Sequence, residues 1–330
     1  MTNKELDVVS LGELLIDFTM NGVTEQGNQL FEANPGGAPC NVLSMLSNLG
    51  RKTSFIGKVG NDQFGFLLKR TLEELSIGTD NLVIDKGVNT TLAFVHTAPD
   101  GDRSFSFYRK PGADMMLNES EIREDIIKKA KIFHFGTLSM TDEGVKKATE
   151  KAIKIAKENN LLISFDPNLR PPLWKSLEQA KECIKFGLSQ CDILKISDDE
   201  LEFVTECKTI EDGVKCLIKN YHIDLILVTM GKQGSKAFYR GISVEKEGII
   251  QKNTIDTTGA GDTFCGCILN FVLEHGLENL TEASLIDMLT FANAAASIIT
   301  TRRGAIRSMP SKKEILNFIN VNLIGGFIDV

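Results

Sequence analysis

The sequence has no C-x-x-C pair among its seven cysteines, an odd number scattered along 330 residues. The one close pair, Cys265 and Cys267, lacks the second pair of ligands that would complete a zinc site. A disulfide scaffold and a structural zinc site are therefore excluded. We expect buried free thiols, as in proteins of a reducing cytoplasm.

Long apolar runs and an excess of positive charge are also missing. No stretch of about 18 uncharged apolar residues occurs, so we expect no membrane span. The opening MTNKELDVVSLG is too polar for a signal peptide. The 44 acidic and 37 basic residues give a net charge of −7, which argues against nucleic-acid and anionic-membrane partners. The sequence predicts a soluble, cytoplasmic protein.

What is present is an alternation of strands and helices. Short, nearly uninterrupted apolar runs at 8–11, 132–135, 161–165, 193–196 and 223–228 are typical of strands buried on both faces. Apolar residues at three- and four-residue spacing predict helices between them, for example through Val42, Leu46 and Leu49. This alternation predicts an α/β fold with a mostly parallel sheet. Without a repeat or a Pro/Gly-rich linker, residues 1–330 are expected to form a single domain.

Residues 81–109 interrupt this alternation, since they show no helical period. Asp100-Gly101 separates two stretches, 92–97 and 104–108, in which apolar residues alternate with polar ones. This pattern predicts a β-hairpin inserted into the α/β chain. Such an insert is typical of a lid or of a contact between subunits.

Residues 254–267, TIDTTGAGDTFCGC, carry the clearest chemical signal. Thr258 can cap a helix, and the small residues Gly259, Ala260 and Gly261 let backbone N–H groups approach an anion at a helix N-terminus. Asp262 then falls in the first turn, where a carboxylate could take a proton from a hydroxyl that attacks a phosphate. The alternative is an ordinary helix start whose acidic residue complements the helix dipole. Neither a G-x-x-x-x-G-K-[ST] loop nor a protein-kinase catalytic loop occurs.

Two separate motifs of this sequence resemble the PfkB (ribokinase-like) family of carbohydrate kinases. One is the segment from Asp256 to Asp262, and the other comprises Gly36-Gly37-Ala38-Pro39-x-Asn41 followed by Gly60-Asn61-Asp62-x-Phe64-Gly65. The resemblance implies a three-layer αβα body with a β-sheet lid formed by residues 13–32 and 86–110. It further implies MgATP as donor, a sugar hydroxyl as acceptor, Asp262 as base and the N–H groups of Gly259, Ala260 and Gly261 as the anion hole.

The sugar side is predicted from short polar side chains and close backbone approach. Asp17 follows the first strand and can accept two hydroxyl protons, Gly36 and Gly37 admit the sugar against the main chain, and Asn41 offers a donor and an acceptor. For Asp17 the alternative is an exposed acid at a strand end. Phe107 and Arg109 share one face of the hairpin, so they could close over the sugar, or simply end the hairpin in solvent.

Arg170 follows a buried strand in the segment Asp166-Pro167-Asn168-Leu169-Arg170, where it could hold phosphoryl oxygens. On the nucleotide side the resemblance implies Glu200 near Mg²⁺, with Ser197 standing where the family usually has Asn. The expected ATP-binding residues are Lys195, Ser197, Glu200, Thr229, Gly231, Gly234, Gly259, Gly261 and Asn293. Asn293 could equally serve helix packing.

Likeness to ribokinase also implies a monovalent-cation site, with K⁺ as its ion, at Asp256, Thr258, Ile299, Arg302, Gly304 and Ser308. The lid pairs two subunits in many relatives, so a homodimer is implied as well. Several local strings, among them Ala113-Asp114-Met115, resemble fructokinases, which implies conversion of D-fructose to fructose 6-phosphate. Two alternatives are a 2-keto-3-deoxygluconate kinase, whose acid substrate Arg109, Lys110 and Arg170 could bind, and a catalytically silent binding relative.

Overall fold

The computed structural model describes residues 4–97 and 103–324. The strands are β1 (Leu6–Leu11), β2 (Leu15–Val23), β3 (Gln29–Gly36), β4 (Thr53–Gly60), β5 (Ile77–Asp85), β6 (Leu92–Thr97), β7 (Arg103–Tyr108), β8 (Ala130–Gly136), β9 (Leu162–Asp166), β10 (Ile193–Ser197), β11 (Leu225–Thr229), β12 (Gly234–Tyr239) and β13 (Ile242–Glu247). The α-helices are α1 (Ala38–Asn48), α2 (Gln63–Glu74), α3 (Glu124–Lys128), α4 (Glu143–Glu158), α5 (Leu177–Gln190), α6 (Asp198–Thr205), α7 (Ile210–Asn220), α8 (Ala260–His275), α9 (Glu282–Ile299) and α10 (Lys312–Ile319).

Within the described residues, nine strands form one sheet in the order β13-β12-β11-β10-β9-β8-β1-β4-β5. Every pairing from β11 to β5 is parallel, and only β12 and β13 run antiparallel at one edge. Neighbouring residues of β1 belong to different cores, since Val8 packs on one face of the sheet and Val9 on the other. The predicted αβα body with a mostly parallel sheet is confirmed. The antiparallel edge was not predicted.

The second sheet has the order β3-β2-β6-β7 over the described residues and forms the lid. Its register aligns Asn34, Asp17, Ala93 and Phe107 in one row across the four strands. The pairing of β6 with β7 confirms the predicted hairpin, whereas its predicted turn, Asp100-Gly101, lies outside the described residues. The lid strands span 15–23, 29–36, 92–97 and 103–108, so β3 extends beyond the predicted boundary at residue 32.

The opposite face of the lid is fixed to the body by aromatic rings. Phe18 of β2 stacks on Phe94 of β6 with ring centroids 4.8 Å apart, and it meets Phe64 of α2 edge-on at 5.6 Å. Edge-to-face and offset pairs of this kind add to the stabilisation gained from buried area. The row of Asp17 and Phe107 is therefore held facing the carboxyl ends of the main sheet.

One helix of the described chain, α9, is long and apolar enough to span a membrane, but 56% of it is buried inside the structure. It packs against α8 and the β12–β13 edge, and it carries Glu282 and Asp287. The apolar surface of α9 is thus used in the core of this fold. All seven cysteines are free thiols; five are buried, as expected, whereas Cys207 and Cys216 are half-buried.

Candidate active site

A cavity of about 490 Å³ lies between the lid and the carboxyl ends of the central strands. Open α/β sheets bind their ligands at this edge. The polar and charged residues that line it are Glu13, Asp17, Thr19, Asn34, Asn41, Asn168, Arg170, Lys195, Ser197, Glu200, Asp256, Thr257, Thr258 and Asp262. Two motifs far apart in the sequence, around residues 36–41 and 256–262, therefore contribute to one cavity.

Helix α8 begins at this cavity without a side-chain cap. Its N-cap residue is Gly259, with φ of 79°, rather than the predicted Thr258, and within the described residues this N-cap has no side-chain hydrogen bond. Gly259, Gly261 and Asp262 all line the cavity. The N–H of Ala260 donates to the carbonyl of Thr257 at 3.3 Å, so this member of the predicted anion hole already has an acceptor. The uncapped helix start suits a phosphate, because its dipole and N–H groups favour negative charge.

Asp262, in the first turn of α8, is held by α1. Its Oδ2 accepts a 2.7 Å hydrogen bond from Nδ2 of Asn41, while Oδ1 of Asn41 is buried and has no hydrogen-bond partner within the described structure. Burial raises the pKa of Asp262, and the amide of Asn41 acts against this rise. A carboxylate of raised basicity at a polar cavity can accept a proton from a hydroxyl. The free oxygen of Asn41 can accept a hydrogen bond from the same ligand.

Lys195 of β10 supplies a buried cation beside the start of α8. Its Nζ lies 3.0 Å from Oδ2 of Asp166, and a Cβ added at Gly261 would lie 3.1 Å from it. Burial alone would lower the pKa of Lys195, but neighbouring carboxylates, Asp166 first among them, raise it above its usual range. Burial also raises the pKa of Asp166 to about 6, and Lys195 opposes that rise. The ammonium group is thus kept charged next to the proposed anion hole.

The lid contributes a polar row at the other end of the cavity. Asp17 faces it beside Asn34, whose Nδ2 donates to Oγ1 of Thr19 at 2.8 Å. Burial raises the pKa of Asp17 to about 7, and the guanidinium of Arg170 opposes this rise. A Cβ at Gly36 would overlap with Oδ2 of Asp17, so glycine is required for this carboxylate to lie against the main chain. The sequence analysis did not identify Thr19 and Asn34 as cavity residues. Only the pairing register of the lid strands places their side chains in the cavity, facing the start of α8.

Phe107 lines the cavity as predicted, but Arg109 does not. Arg109 is 5% exposed and donates to Asp114 at 2.7 Å, to Oγ1 of Thr141 at 2.9 Å and to the carbonyl of Leu138 at 3.0 Å. Strand β7 ends at Tyr108, so Arg109 lies outside the strand and does not share a strand face with Phe107 as predicted. This geometry argues against the expectation that Arg109 offers its charge to the sugar, because a buried carboxylate binds the guanidinium.

Arg170 is exposed and lines the cavity, and its loop is tied to α6. Glu200 accepts from the backbone N–H of Leu169 at 2.7 Å through Oε1 and from that of Ser197 at 2.9 Å through Oε2. In turn, Oγ of Ser197 accepts a hydrogen bond from the backbone N–H of Glu200 at 3.2 Å, which completes a capping box at the start of α6. Serine caps a helix about as well as the family's usual asparagine. Both carboxylate oxygens of Glu200 therefore hold backbone groups at the cavity wall.

The remaining predicted nucleotide residues lie beyond this wall. Thr229 pairs in register with Ser197 at the same sheet edge, and Gly231 and Gly234 form the turn that follows β11. Asn293 is 8% exposed; its oxygen accepts from Ser235 at 2.8 Å, and its nitrogen donates to the carbonyls of Lys246 and Glu247. None of the four lines the cavity. For Asn293 these contacts fit the packing alternative.

The predicted cation residues meet where the chain leaves α9. Oδ1 of Asp256 accepts from the N–H of Thr258 at 2.8 Å, and Asp256 and Gly304 both line the cavity. The carbonyl of Ser308 accepts from Arg302 at 3.0 Å, while that of Ile299 accepts from the N–H of Arg302. Across the described part of the chain, no group of three His, Cys, Asp or Glu residues could hold a metal ion. Any cation here would be held by the carboxylate of Asp256 together with backbone and hydroxyl oxygens.

Comparison with known proteins relates the chain to carbohydrate kinases. A model of the pfkB family of carbohydrate kinases matches residues 5–312. The chain is 41% identical over 323 residues to probable fructokinase-2 of Arabidopsis thaliana, covering 97% of this chain and 98% of that protein.

Two crystal structures resemble the fold throughout. Fructokinase with bound ATP from Xylella fastidiosa matches with a TM-score of 0.85 and 29% identity, covering 95% of this chain and 98% of that one. A double mutant of fructokinase from Vibrio cholerae, solved with fructose, ADP and potassium ion bound, matches with a TM-score of 0.86 and 29% identity over 96% and 99% of the two chains. The ribokinase-like fold is confirmed, and the chain belongs to the pfkB family of carbohydrate kinases.

Proposed function

We propose that this kinase transfers the γ-phosphoryl group of ATP to the O6 hydroxyl of D-fructose. The observation that carries the proposal is the position of Asp262, which lies at the uncapped start of α8 and faces the polar row of the lid across one cavity. A base, an anion site and a polyol site are thereby brought together. These are the parts that phosphoryl transfer to a hydroxyl requires.

The reaction uses each part in turn. Asp17 and Asn34 accept and donate hydrogen bonds to the sugar hydroxyls, while Oδ1 of Asn41 accepts another. Asp262 takes the proton from the attacking hydroxyl as the new P–O bond forms and the bond to ADP breaks. Negative charge on the phosphoryl oxygens is stabilised by the start of α8, by the ammonium of Lys195 and by Arg170 on the opposite wall.

The cavity wall fits a magnesium ion that arrives with the nucleotide. Mg²⁺ usually keeps several waters and is held by one or two carboxylates together with substrate phosphates, and Glu200, which lines the cavity, would act on the ion through water. The ion neutralises phosphate charge, which the acidic chain, with its net charge of −7, cannot do through its overall field. We therefore expect strict dependence on a divalent cation. K⁺ at the loop of Asp256, Thr258, Ile299, Arg302, Gly304 and Ser308 is proposed by similarity to the Vibrio cholerae structure.

Fructose is favoured over 2-keto-3-deoxygluconate by the charges at the lid. An acid substrate needs a cation near the sugar subsite, and Arg109 is engaged by Asp114 away from the cavity. Of the candidate cations Arg109, Lys110 and Arg170, only Arg170 lines the cavity among the described residues, where it is also proposed to hold the phosphoryl oxygens. Of the described lid residues that face the cavity, Asp17 is acidic and Thr19 and Asn34 are neutral. The similarity to fructokinases supports the same choice.

A homodimer through the lid and a cytoplasmic location complete the proposal. The lid strands expose large apolar side chains, with Met20, Val23, Leu30 and Tyr108 between 45% and 66% exposed. All seven free thiols are consistent with a reducing compartment. Light scattering at micromolar concentration should report twice the mass of the chain.

The catalytic proposal is tested by ADP release with fructose, ribose, 2-keto-3-deoxygluconate and adenosine as acceptors. Fructose should give the highest kcat/KM, its product should be the 6-phosphate by NMR, and turnover should require Mg²⁺ and rise when K⁺ replaces Na⁺. Asp262→Asn should abolish turnover, whereas Asp287→Asn, on the far helix α9, should not. Absence of fructose turnover, or undiminished turnover by Asp262→Asn, contradicts the proposal.

A further inference from the structure

Glu13 is a buried carboxyl group that the reaction described above does not use. It follows β1, is 4% exposed, and contacts the cavity wall beneath the lid. Burial raises its pKa to about 7. A carboxyl group is retained in such surroundings when its oxygens have hydrogen-bond donors to accept from.

One donor is the first turn of α1. Oε1 of Glu13 accepts from the backbone N–H of Ala38 at 2.9 Å. The N-cap residue of α1 is Gly37, which has no side chain and supplies no cap of its own. Glu13 therefore satisfies an N-terminal N–H group of this helix from a distant position in the sequence, in the way that an N-cap side chain ordinarily does.

Packing fixes this contact in place. A Cβ at Gly37 would overlap with the carbonyl oxygen of Glu13, and one at Gly12 would overlap with the ring of Pro39. The segment 12–14 is thus pressed against the first turn of α1 on both sides of the hydrogen bond. A shift of Glu13 would move the helix start with it.

The same turn carries the partner of the proposed base. The N–H of Asn41 closes the first helical hydrogen bond to the carbonyl of Gly37 at 2.9 Å, and Nδ2 of Asn41 donates to Asp262 at 2.7 Å. The contacts run from Glu13 to Ala38, then along one helical turn to Asn41, and across to Asp262. Each link joins buried or half-buried groups.

We propose that Glu13 is a positioning residue for phosphoryl transfer, capping α1 so that Asn41 orients the carboxylate of Asp262. This inference rests on the proposed role of Asp262. It predicts that Glu13 acts on kcat through Asn41 rather than by contact with either substrate. Misplacement of a catalytic group by about 1 Å can cost on the order of 100-fold in rate.

The test is a double-mutant cycle with fructose and MgATP. Glu13→Ala should lower kcat by about 10- to 100-fold with KM for ATP within about twofold. The same change in an Asn41→Ala background should have an effect of less than about threefold, because residues that act in series are not additive. An equal loss of kcat in both backgrounds overturns the proposal. Glu25→Ala, on the exposed turn of the lid, is the control that leaves the rate unchanged.

Two conservative variants keep the test decisive if Glu13→Ala folds poorly. Glu13→Gln preserves an oxygen that can accept from Ala38 and should retain most of the rate, whereas Glu13→Asp keeps the charge but withdraws the oxygen and should lose it. A higher rate for Glu13→Asp than for Glu13→Gln overturns the proposal. Failure of the proposed function would look different, because the unmodified protein would then fail to turn over fructose or Asp262→Asn would remain active.

Discussion

Nδ2 of Asn41 and Oδ2 of Asp262 are 2.7 Å apart, although 221 positions separate the two residues in the sequence. This hydrogen bond joins the start of α1 to the start of α8 and links the sugar-side motif with the phosphate-side motif. It also stabilises the charged form of the carboxylate, in opposition to burial. The reactivity of Asp262 therefore depends on the position of α1.

The first prediction concerns the pH dependence that this bond controls. Asn41→Ala removes a donor to the ionised carboxylate, so the pKa of Asp262 should rise further and the ionised base should appear only at higher pH. The acidic limb of kcat/KM for fructose should shift to higher pH, and kcat should fall. Asn48→Ala, which breaks a 2.9 Å bond from the same helix to the carbonyl of Met309, is the matched control. An unshifted acidic limb in Asn41→Ala would count against the role of this bond.

The second prediction concerns the contact of Gly36 with Asp17. Gly36→Ala places a methyl group on Oδ2 of Asp17, so the carboxylate must move out of the sugar subsite. KM for fructose should rise by about 10- to 100-fold, corresponding to about 1.4–2.7 kcal/mol, with little change in KM for ATP. Gly87→Ala meets only an ordinary contact at 3.7 Å and should be neutral. Equal changes in both KM values would show a general distortion instead.

The third prediction concerns the buried pair of Lys195 and Asp166. Lys195→Met leaves the Asp166 carboxyl without its ammonium partner, which should cost about 3–5 kcal/mol of unfolding free energy. It also removes positive charge from the anion site, so kcat should fall by about 100-fold or more. Adding Asp166→Asn should recover stability but not kcat in urea-unfolding and rate measurements. Recovery of kcat would mean that the lysine serves the fold alone.

The fourth prediction separates a structural arginine from a substrate-binding one. Arg109→Met should lower unfolding free energy by about 3–5 kcal/mol, because Asp114 is left buried and unpaired, while KM for fructose in the folded enzyme changes little. Arg123→Met breaks an exposed pair with Asp125, whose side chains are 50% and 53% exposed, and should leave the unfolding free energy almost unchanged, because water screens an exposed ion pair. A selective rise in KM for fructose in Arg109→Met would restore its predicted role at the sugar.

The fifth prediction concerns His134, which hydrogen-bonds through Nδ1 to Ser164 at 2.9 Å. Burial lowers its pKa to about 3, against about 6.5 in an unfolded chain. Between these values only the unfolded chain binds the proton, so the stability contributed by neutral His134 is complete above about pH 6.5 and is lost as pH falls toward 3.

His134→Asn should therefore lose less stability than the unmodified protein between pH 7 and 4. Urea unfolding across this pH range gives the unfolding free energy of both proteins. The other titrating groups contribute equally to the two values, so they cancel in the difference. The exposed His222→Asn serves as control. A difference that stays constant with pH would contradict the neutral, buried state of His134.

Local patterns were sufficient for most strands of the sheet, and they singled out the start of α8 as the candidate phosphate end of the site. Uninterrupted apolar runs identified β1, β8, β9, β10 and β11, since both faces of these strands are buried. Strand β4 was missed because it carries Lys58 and two glycines among its apolar residues. Lys58 is nevertheless buried, through ion pairs of 3.0 Å with Asp85 and 2.8 Å with Glu121. No local pattern reveals partners that distant.

The sequence by itself determined the α/β class and singled out Asp262 as the candidate base and Asp17 and Asn41 as candidate sugar-side residues, because each depends on residue type at fixed local spacing. Only the tertiary structure decided which charges are available to a ligand. It pairs Arg109 with Asp114, directs Asn293 to backbone carbonyls, places Lys195 beside Gly261 and sets Glu13 at the start of α1. The physical reason is that a buried polar group takes the nearest complementary partner, and long-range packing determines which partner is nearest.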